Sequence, residues 1–296
     1  MPKCNRLISL LIAFSFWSIP KATFAQALLP HTLQLDAARL ERQGLTLAQE
    51  AASLGQFQQF ELAVPRARLA TQLAPKNHKV WFLLGGLYLQ TKELDKAITA
   101  LNKAQSLNPK DADVQFALGS AHFHQKKYQE ASAFYQAGLR LKPNDPEGLF
   151  DLGNAFYMMS RKPEALAQYN KAVAQDKKFW PAINNIGLIL YEQGDVPGAI
   201  KRWQDSVAID KQAAEPMLAL AVALYAKGDQ KQGLTLGEKA IGIDDRYADL
   251  DFLKENLWGD RLLADTKKFL QQPRIQSALQ RRGTPEAPAS RQQPTK

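Results

Sequence analysis

The sequence predicts an all-α protein, a solenoid of stacked helix-turn-helix units closed at its C-terminal end by capping helices. Three observations predict it. Glycine recurs at a constant step of 34 residues, at Gly85, Gly119, Gly153 and Gly187. Around these glycines apolar residues fall at the i, i+3, i+4, i+7 spacing of one helical face, as in Trp81, Leu84, Gly85 and Tyr88. A short polar turn and a second apolar stripe follow, as in Gln90-Thr91-Lys92-Glu93 and then Ala97, Leu101 and Ala104.

Taken in chain order, residues 1–25 read as a secretory signal or an N-terminal membrane anchor. Lys3 and Arg6 precede the apolar run Leu7 to Ile19, and Pro20 and the small residues around Ala25 follow it. A 13-residue run is short beside the roughly 20 residues that a spanning helix needs, which favours cleavage after Ala25 or Ala27. Either reading keeps Lys3 and Arg6 on the cytoplasmic side and puts the rest of the chain across the membrane, so the expected location is exported, in a periplasm or thylakoid lumen, with membrane attachment left open. Residues 26–43 form a lead-in, with Leu33 to Gln43 expected to be helical.

Residues 44–247 divide into six units of 34 without insertion, beginning at 44, 78, 112, 146, 180 and 214. Asn108-Pro109 and Lys142-Pro143 punctuate unit ends. Pro181 and Pro216 fall in a first helical turn, where a missing N–H costs nothing. Pro65 sits inside the second helix of the first unit and is expected to kink it. Glycine inside a helix costs roughly 1 kcal/mol relative to alanine. The expected compensation is close helix crossing, each glycine meeting a second small residue: Gly85 with Ala97, Gly119 with Ala131, Gly153 with Ala165 and Gly187 with Ala199. Ala221 and Gly233 exchange the order in the sixth unit.

After the repeats, residues 248–270 keep helical apolar spacing and read as two capping helices broken at Gly259-Asp260. Residues 271–296 read as a disordered basic tail rich in Pro and Gln.

These motifs carry a family resemblance. Trp81-x-x-Leu84-Gly85-x-x-Tyr88, with Ala97, Leu101, Ala104 and Pro109, resembles the tetratricopeptide repeat (TPR) motif. So do Leu118-Gly119, Ala131, Tyr135 and Pro143, then Leu152-Gly153, Phe156, Ala165, Tyr169 and Ala172, then Ile186-Gly187, Leu190, Ala199 and Trp203. The first and sixth units are degenerate, Glu50-Ala51 standing where Leu-Gly belongs in the first. The resemblance implies a right-handed superhelical α-solenoid whose first helices line a concave groove, the usual ligand surface of the family.

On that wall Phe82, Phe116 and Phe150 recur at the repeat step, as do Leu89, Phe123, Tyr157, Tyr191 and Tyr225. Phe82, Gly86 and Leu89 share one face, which puts Gly86 where a ligand backbone can approach. His124, Asn154 and Asn184 are available to bond that backbone, so these twelve positions form the candidate partner-binding set. The bland alternative is that the aromatics only shape the wall. The family's carboxylate clamp is disfavoured, because phenylalanine occupies the place of its leading lysine.

Composition narrows the function classes. The +9 net charge is not a nucleic-acid surface: Lys3, Arg6 and Lys21 lie in the leader, residues 271–296 hold +4, and only +2 remains on the folded part. The only cysteine, Cys4, precedes the apolar run, so disulfide and thiolate chemistry is absent from a cleaved chain. His122 and His124 point apart on a helix and His31 and His78 are scattered, so no metal site is expected. No nucleophile elbow, phosphate loop or zinc-ligand spacing appears, and neither an enzyme nor a cofactor is expected.

The expected function is a non-catalytic scaffold that holds client polypeptides in the aromatic groove, an assembly or biogenesis factor for membrane complexes. Residues 214–225 and 248–270 resemble cyanobacterial TPR proteins of thylakoid biogenesis, including the kind that interacts with protochlorophyllide oxidoreductase. That narrower resemblance implies a pigment-synthesis enzyme or a photosystem subunit as client. A periplasmic glycan-binding module and a self-associating array are the alternatives.

Overall fold

The computed structural model describes residues 36–283, so the expected leader over 1–25 and residues 284–296 lie outside the described residues. Among the described residues the chain is helical and contains no strand. Six antiparallel pairs stack in order: α1 (Ala37–Gln56) with α2 (Phe60–Leu73), α3 (His78–Gln90) with α4 (Leu94–Leu107), and α5 (Ala112–His124) with α6 (Tyr128–Leu141). The series continues with α7 (Pro146–Met158) and α8 (Lys162–Gln175), α9 (Trp180–Glu192) and α10 (Val196–Ile209), then α11 (Ala214–Lys227) and α12 (Gln230–Ile243). First helices of successive units touch, α1 to α3, α3 to α5 and α5 to α7, while second helices make no comparable contact. The array therefore curves with the first helices on its inner wall.

The repeat is also written in the backbone. The turn inside each unit is closed by one residue with positive φ, and these residues keep the 34-residue step: Gln58, Lys92, Lys126, Ser160, Gly194 and Gly228. The first four carry side chains in a left-handed conformation that costs about 1–2 kcal/mol, whereas glycine adopts it freely. Capping residues follow the period too. Asn77, Asp111 and Asp145 accept backbone N–H bonds at the starts of α3, α5 and α7. In the last two units the role passes to the second helices, where Asp195 and Asp229 cap α10 and α12. α2 runs through Pro65 as one continuous helix.

The expected pairing holds in the sixth unit, where a Cβ on Gly233 would lie 2.7 Å from the Ala221 carbonyl oxygen, but in the four earlier units the nearest neighbour of each glycine is a large side chain, which corrects that reading. A Cβ on Gly85 would lie 2.6 Å from Leu101, on Gly119 2.6 Å from the Tyr135 ring, on Gly153 2.5 Å from Tyr169 and on Gly187 2.6 Å from Trp203. Each glycine clears room for the large side chain 16 residues later, on the partner helix. Ala97, Ala131, Ala165 and Ala199 are fully buried beside them. The intrinsic penalty of glycine is thus offset by burial of an aromatic or leucine that dispersion and solvent exclusion favour.

The sixth unit breaks this rule at the position that receives Leu101, Tyr135, Tyr169 and Trp203 in earlier units, because Gly237 stands there. Its room is filled from outside the repeats. A Cβ on Gly237 would lie 2.4 Å from the ring of Phe269, which belongs to the C-terminal segment. That segment comprises a 3-10 turn (Asp245–Ala248), α13 (Leu250–Glu255), α14 (Asp260–Leu270) and α15 (Pro273–Gly283).

Residues 271–283 are not a disordered tail. Pro273 opens α15, Ile275 is fully buried against Gly237, and Arg274 pairs with Glu238 of α12. Composition hid this helix, because its apolar content is only Ile275, Ala278 and Leu279 among polar residues; their spacing puts Ile275 and Leu279 on one face.

Candidate functional site

The inner wall is divided between two ends. At the C-terminal end α14 lies on α9 and α11, the first helices of units five and six. The cap expected over the last core edge therefore lies across the groove instead. Tyr191 Oη donates to Asp265 Oδ2 at 2.8 Å, and the Arg261 guanidinium sits 4.9 Å above the Tyr191 ring while donating to the Tyr191 carbonyl at 3.1 Å. The Glu192 carboxylate accepts from the backbone N–H of Arg261 at 3.2 Å and of Leu262 at 2.9 Å, so a groove residue caps α14. Gly259 is required here, because a Cβ would lie 2.3 Å from Glu192 Cδ. Leu262, Thr266 and Phe269 are fully buried under this contact.

This arrangement removes two of the expected partner-binding residues, Tyr191 and Asn184, from reach and partly covers a third, Tyr225. Tyr191 is 1% exposed, and Tyr225 lies edge-on to Phe269 at 5.4 Å. Asn184, also 1% exposed, belongs to a buried polar chain. Its Nδ2 donates to Asn185 Oδ1 at 3.2 Å; Asn185 Nδ2 donates to Asn154 Oδ1 at 3.0 Å; Tyr169 Oη donates to the same Asn154 oxygen at 2.7 Å. Asn154 is thus engaged inside the protein, where the expectation had it bonding a ligand backbone. The chain ends at Glu215, which hydrogen-bonds with Asn184 and accepts from Trp258 Nε1 at 3.1 Å.

Two of the ladder phenylalanines are wedges between units. The Phe116 ring occupies the space that side chains on Gly138 of α6 and Gly148 of α7 would take, with Cβ separations of 2.3 and 2.6 Å. Phe150 stands edge-on to Phe179 at 5.5 Å and near Tyr169 at 5.7 Å. For these two the wall-shaping reading describes the contacts they make.

The remaining candidates share the open N-terminal part. Phe82 and Gly86 of α3 line a groove of about 620 Å³ with Ala52 and Gly55 of α1 and Phe60 of α2. A Cβ on Gly86 would meet nothing within 4 Å, so that backbone faces open space. Leu89 is half-buried at the base of this wall. Phe123 is half-buried, edge-on to Tyr128 at 5.2 Å and to the exposed His124 at 6.2 Å. Tyr157 is half-buried and marks the boundary: burial first, then the nearby Glu192 and Asp260, push its hydroxyl up to about 12.

Two carboxyls that motif reading passed over sit along the same wall. Burial, reinforced by Asp145 and Glu147, raises Asp151 to about 7, and burial raises Glu215 to about 7 against the opposing hydrogen bonds from Asn184 and Trp258. Both folded values lie above ordinary carboxyl values, so between about pH 4 and 7 the folded state keeps protons that the unfolded chain has lost. Stability is greatest at the acid end of that window and falls as pH rises through 7. Glu215→Gln and Asp151→Asn are expected to flatten the decline, on the order of 1–2 kcal/mol for the pair after allowing for partial exposure, in urea unfolding at pH 5 and pH 8.

Among the described residues no group of three His, Cys, Asp or Glu could hold a metal ion, and no helix is long and apolar enough to cross a membrane.

Comparison with known proteins follows this geometry. A family model described as TPR repeat matches residues 119–160 and 187–228, and one described as tetratricopeptide repeat matches residues 56–121. No curated protein matches the chain. Among solved structures, PilF of Pseudomonas aeruginosa aligns with TM-score 0.62 at 17% identity, covering 74% of this chain and 98% of that one. A chain of the APC/C hetero-tetramer Cut9–Hcn1 aligns with TM-score 0.63 at 16% identity, over 80% of this chain and 45% of that one. MamA of Desulfovibrio magneticus RS-1 aligns with TM-score 0.52 at 16% identity, over 60% and 97%. These likenesses concern the fold.

Proposed function

We propose that this chain, whose residues 56–160 and 187–228 match tetratricopeptide repeat models, is a non-catalytic scaffold that binds client polypeptides on the open part of its concave wall. Such repeats generally serve as protein-interaction scaffolds. The observation that carries the reading is the vacant face of α3: Gly86 looks into open space beside Phe82, with α1 and α2 forming the facing walls. Apolar and aromatic side chains there offer contact area, and the exposed backbone of a glycine lets a polypeptide approach closely. With the signal-like start at Lys3 to Ala25, the proposed place of work is an exported one, on assembly of membrane complexes, photosynthetic complexes among them.

The test uses the same glycine. Gly86→Phe places its Cβ where nothing stands within 4 Å and sends its ring into the groove, so the fold should remain, and replacing a helical glycine should not lower stability. Proteins captured from the native cells by the full chain are expected to fall at least about tenfold with Gly86→Phe, while thermal unfolding is unchanged. An unaltered set of captured proteins would refute the groove assignment. Sequencing the mature N-terminus in the same eluate tests export, since an intact Met1 with cytoplasmic partners would contradict it.

A further inference from the structure

The filled half of the groove is a worked example of what the open half is built to receive. α14 is an amphipathic helix seated on first helices, and its one basic contact with the wall is Arg261 stacked on a tyrosine ring. Tyr157 stands one repeat before Tyr191, at the same place in its unit. The charge of Asp260 at the start of α14 acts on the Tyr157 hydroxyl.

Charge runs the same way. α5, α7 and α9 carry Asp113, Glu147, Asp151 and Glu192 and no lysine or arginine. Asp113 is paired with Lys142, and Glu192 is used by α14. Asp151 differs from both. One repeat later its position is Asn185, whose amide bonds Asn154 and Tyr169. The corresponding neighbours of Asp151 are Ser120 and Tyr135, and these two hydrogen-bond each other. A carboxyl thus occupies the slot where the neighbouring unit uses an amide, the nearby charges acting on it are both acidic, and α5, α7 and α9 supply no lysine or arginine to it.

Building on the proposed client-binding role, we propose that the open wall of α3, α5 and α7 takes an amphipathic helix of the client, with an arginine or lysine of that helix placed on Asp151 and a neighbouring side chain of the helix against the ring of Tyr157. Its apolar stripe lies along Phe82, Gly86 and Leu89. A guanidinium is the better fit, because its planar fork can donate two hydrogen bonds to the carboxylate. Recognition is then read as a basic residue at a fixed offset from an i, i+3, i+7 apolar stripe.

The experiment is a display selection on the immobilised full chain from a library of randomised 16-residue peptides, followed by fluorescence anisotropy on labelled winners. Winners are expected to carry Arg or Lys at one constant offset from a helical apolar stripe. Asp151→Asn in the protein, or replacement of that basic residue in the peptide, should each weaken binding about tenfold, and together by little more than either alone. The Asn185 precedent makes Asp151→Asn a substitution the fold accommodates, and circular dichroism of the variant checks it. Winners without a fixed basic residue, winners patterned as extended proline-bearing segments, or equal binding by Asp151→Asn would each overturn the inference. If such peptides still lose affinity on Gly86→Phe, the groove role survives while the helix-and-cation reading fails; if no peptide is selected, both fall.

Discussion

Trp203→Ala is expected to cost about 3–5 kcal/mol, the range for removing a buried aromatic from a packed core. Trp203 is the largest of the fully buried side chains, with Nε1 2.6 Å from the Cβ that Gly187 lacks and its ring centroid 5.7 Å from that of Tyr191. It joins α9 to α10 at the place where Leu101, Tyr135 and Tyr169 join their own pairs. Because each unit of such an array is held by its neighbours, the loss should appear as early unfolding of units five and six with the helices beyond them, ahead of the N-terminal units. Urea unfolding followed by circular dichroism should change from one transition to two. Trp203→Leu should cost distinctly less, since leucine fills the same position over Gly85 in the second unit.

Phe269→Ala should release the groove. Phe269 is fully buried, stands edge-on to Tyr225 and fills the room left by Gly237, so truncation again costs about 3–5 kcal/mol, here charged to the docking of one helix. The other ties of α14 are the Tyr191 to Asp265 bond, the Glu192 cap, the Arg261 stack and the buried Leu262 and Thr266, while α15 keeps Ile275 and the Arg274 to Glu238 pair. The expected result is a folded repeat array with α14 loosened from α9 and α11. Tyr191 then becomes accessible, its hydroxyl, held up by burial and by Asp265, titrates lower, and the chain acquires a second polypeptide-binding stretch. Tyrosine absorbance against pH and limited proteolysis between Trp258 and Pro273 would register it. Retained protection of that segment in Phe269→Ala would show that the remaining ties suffice.

The array itself was legible, because a 34-residue step with Gly85, Gly119, Gly153 and Gly187 on apolar helical faces leaves little room for another fold class. What the glycines are for was misread. Sequence spacing places Ala97 beside Gly85, but the side chain that needs the space is Leu101, one turn further on, and only side-chain direction settles that. The division of the groove was not legible either. Tyr191 and Tyr225 continue the same ladder as Phe123 and Tyr157, and nothing in their own units separates them. The signal lay elsewhere, in Gly237 standing at a position that holds a leucine, tyrosine or tryptophan in four earlier units, a missing core side chain that some other segment had to supply. Asp151 was hidden by motif matching, which scores the packing positions and ignores the wall between them.

The central claim is that the concave wall has two parts, units five and six filled by α14 and the first four units open to a client. Hydrogen exchange read by mass spectrometry on the full chain, free and bound to a polypeptide captured from its own cells, tests it most directly. Slowed exchange on binding should be confined to α1, α3, α5 and α7, with α9, α11 and α14 unchanged. Slowing in α9 and α11 accompanied by faster exchange in α14 would mean that clients displace the chain's own helix, and the division drawn here would be wrong.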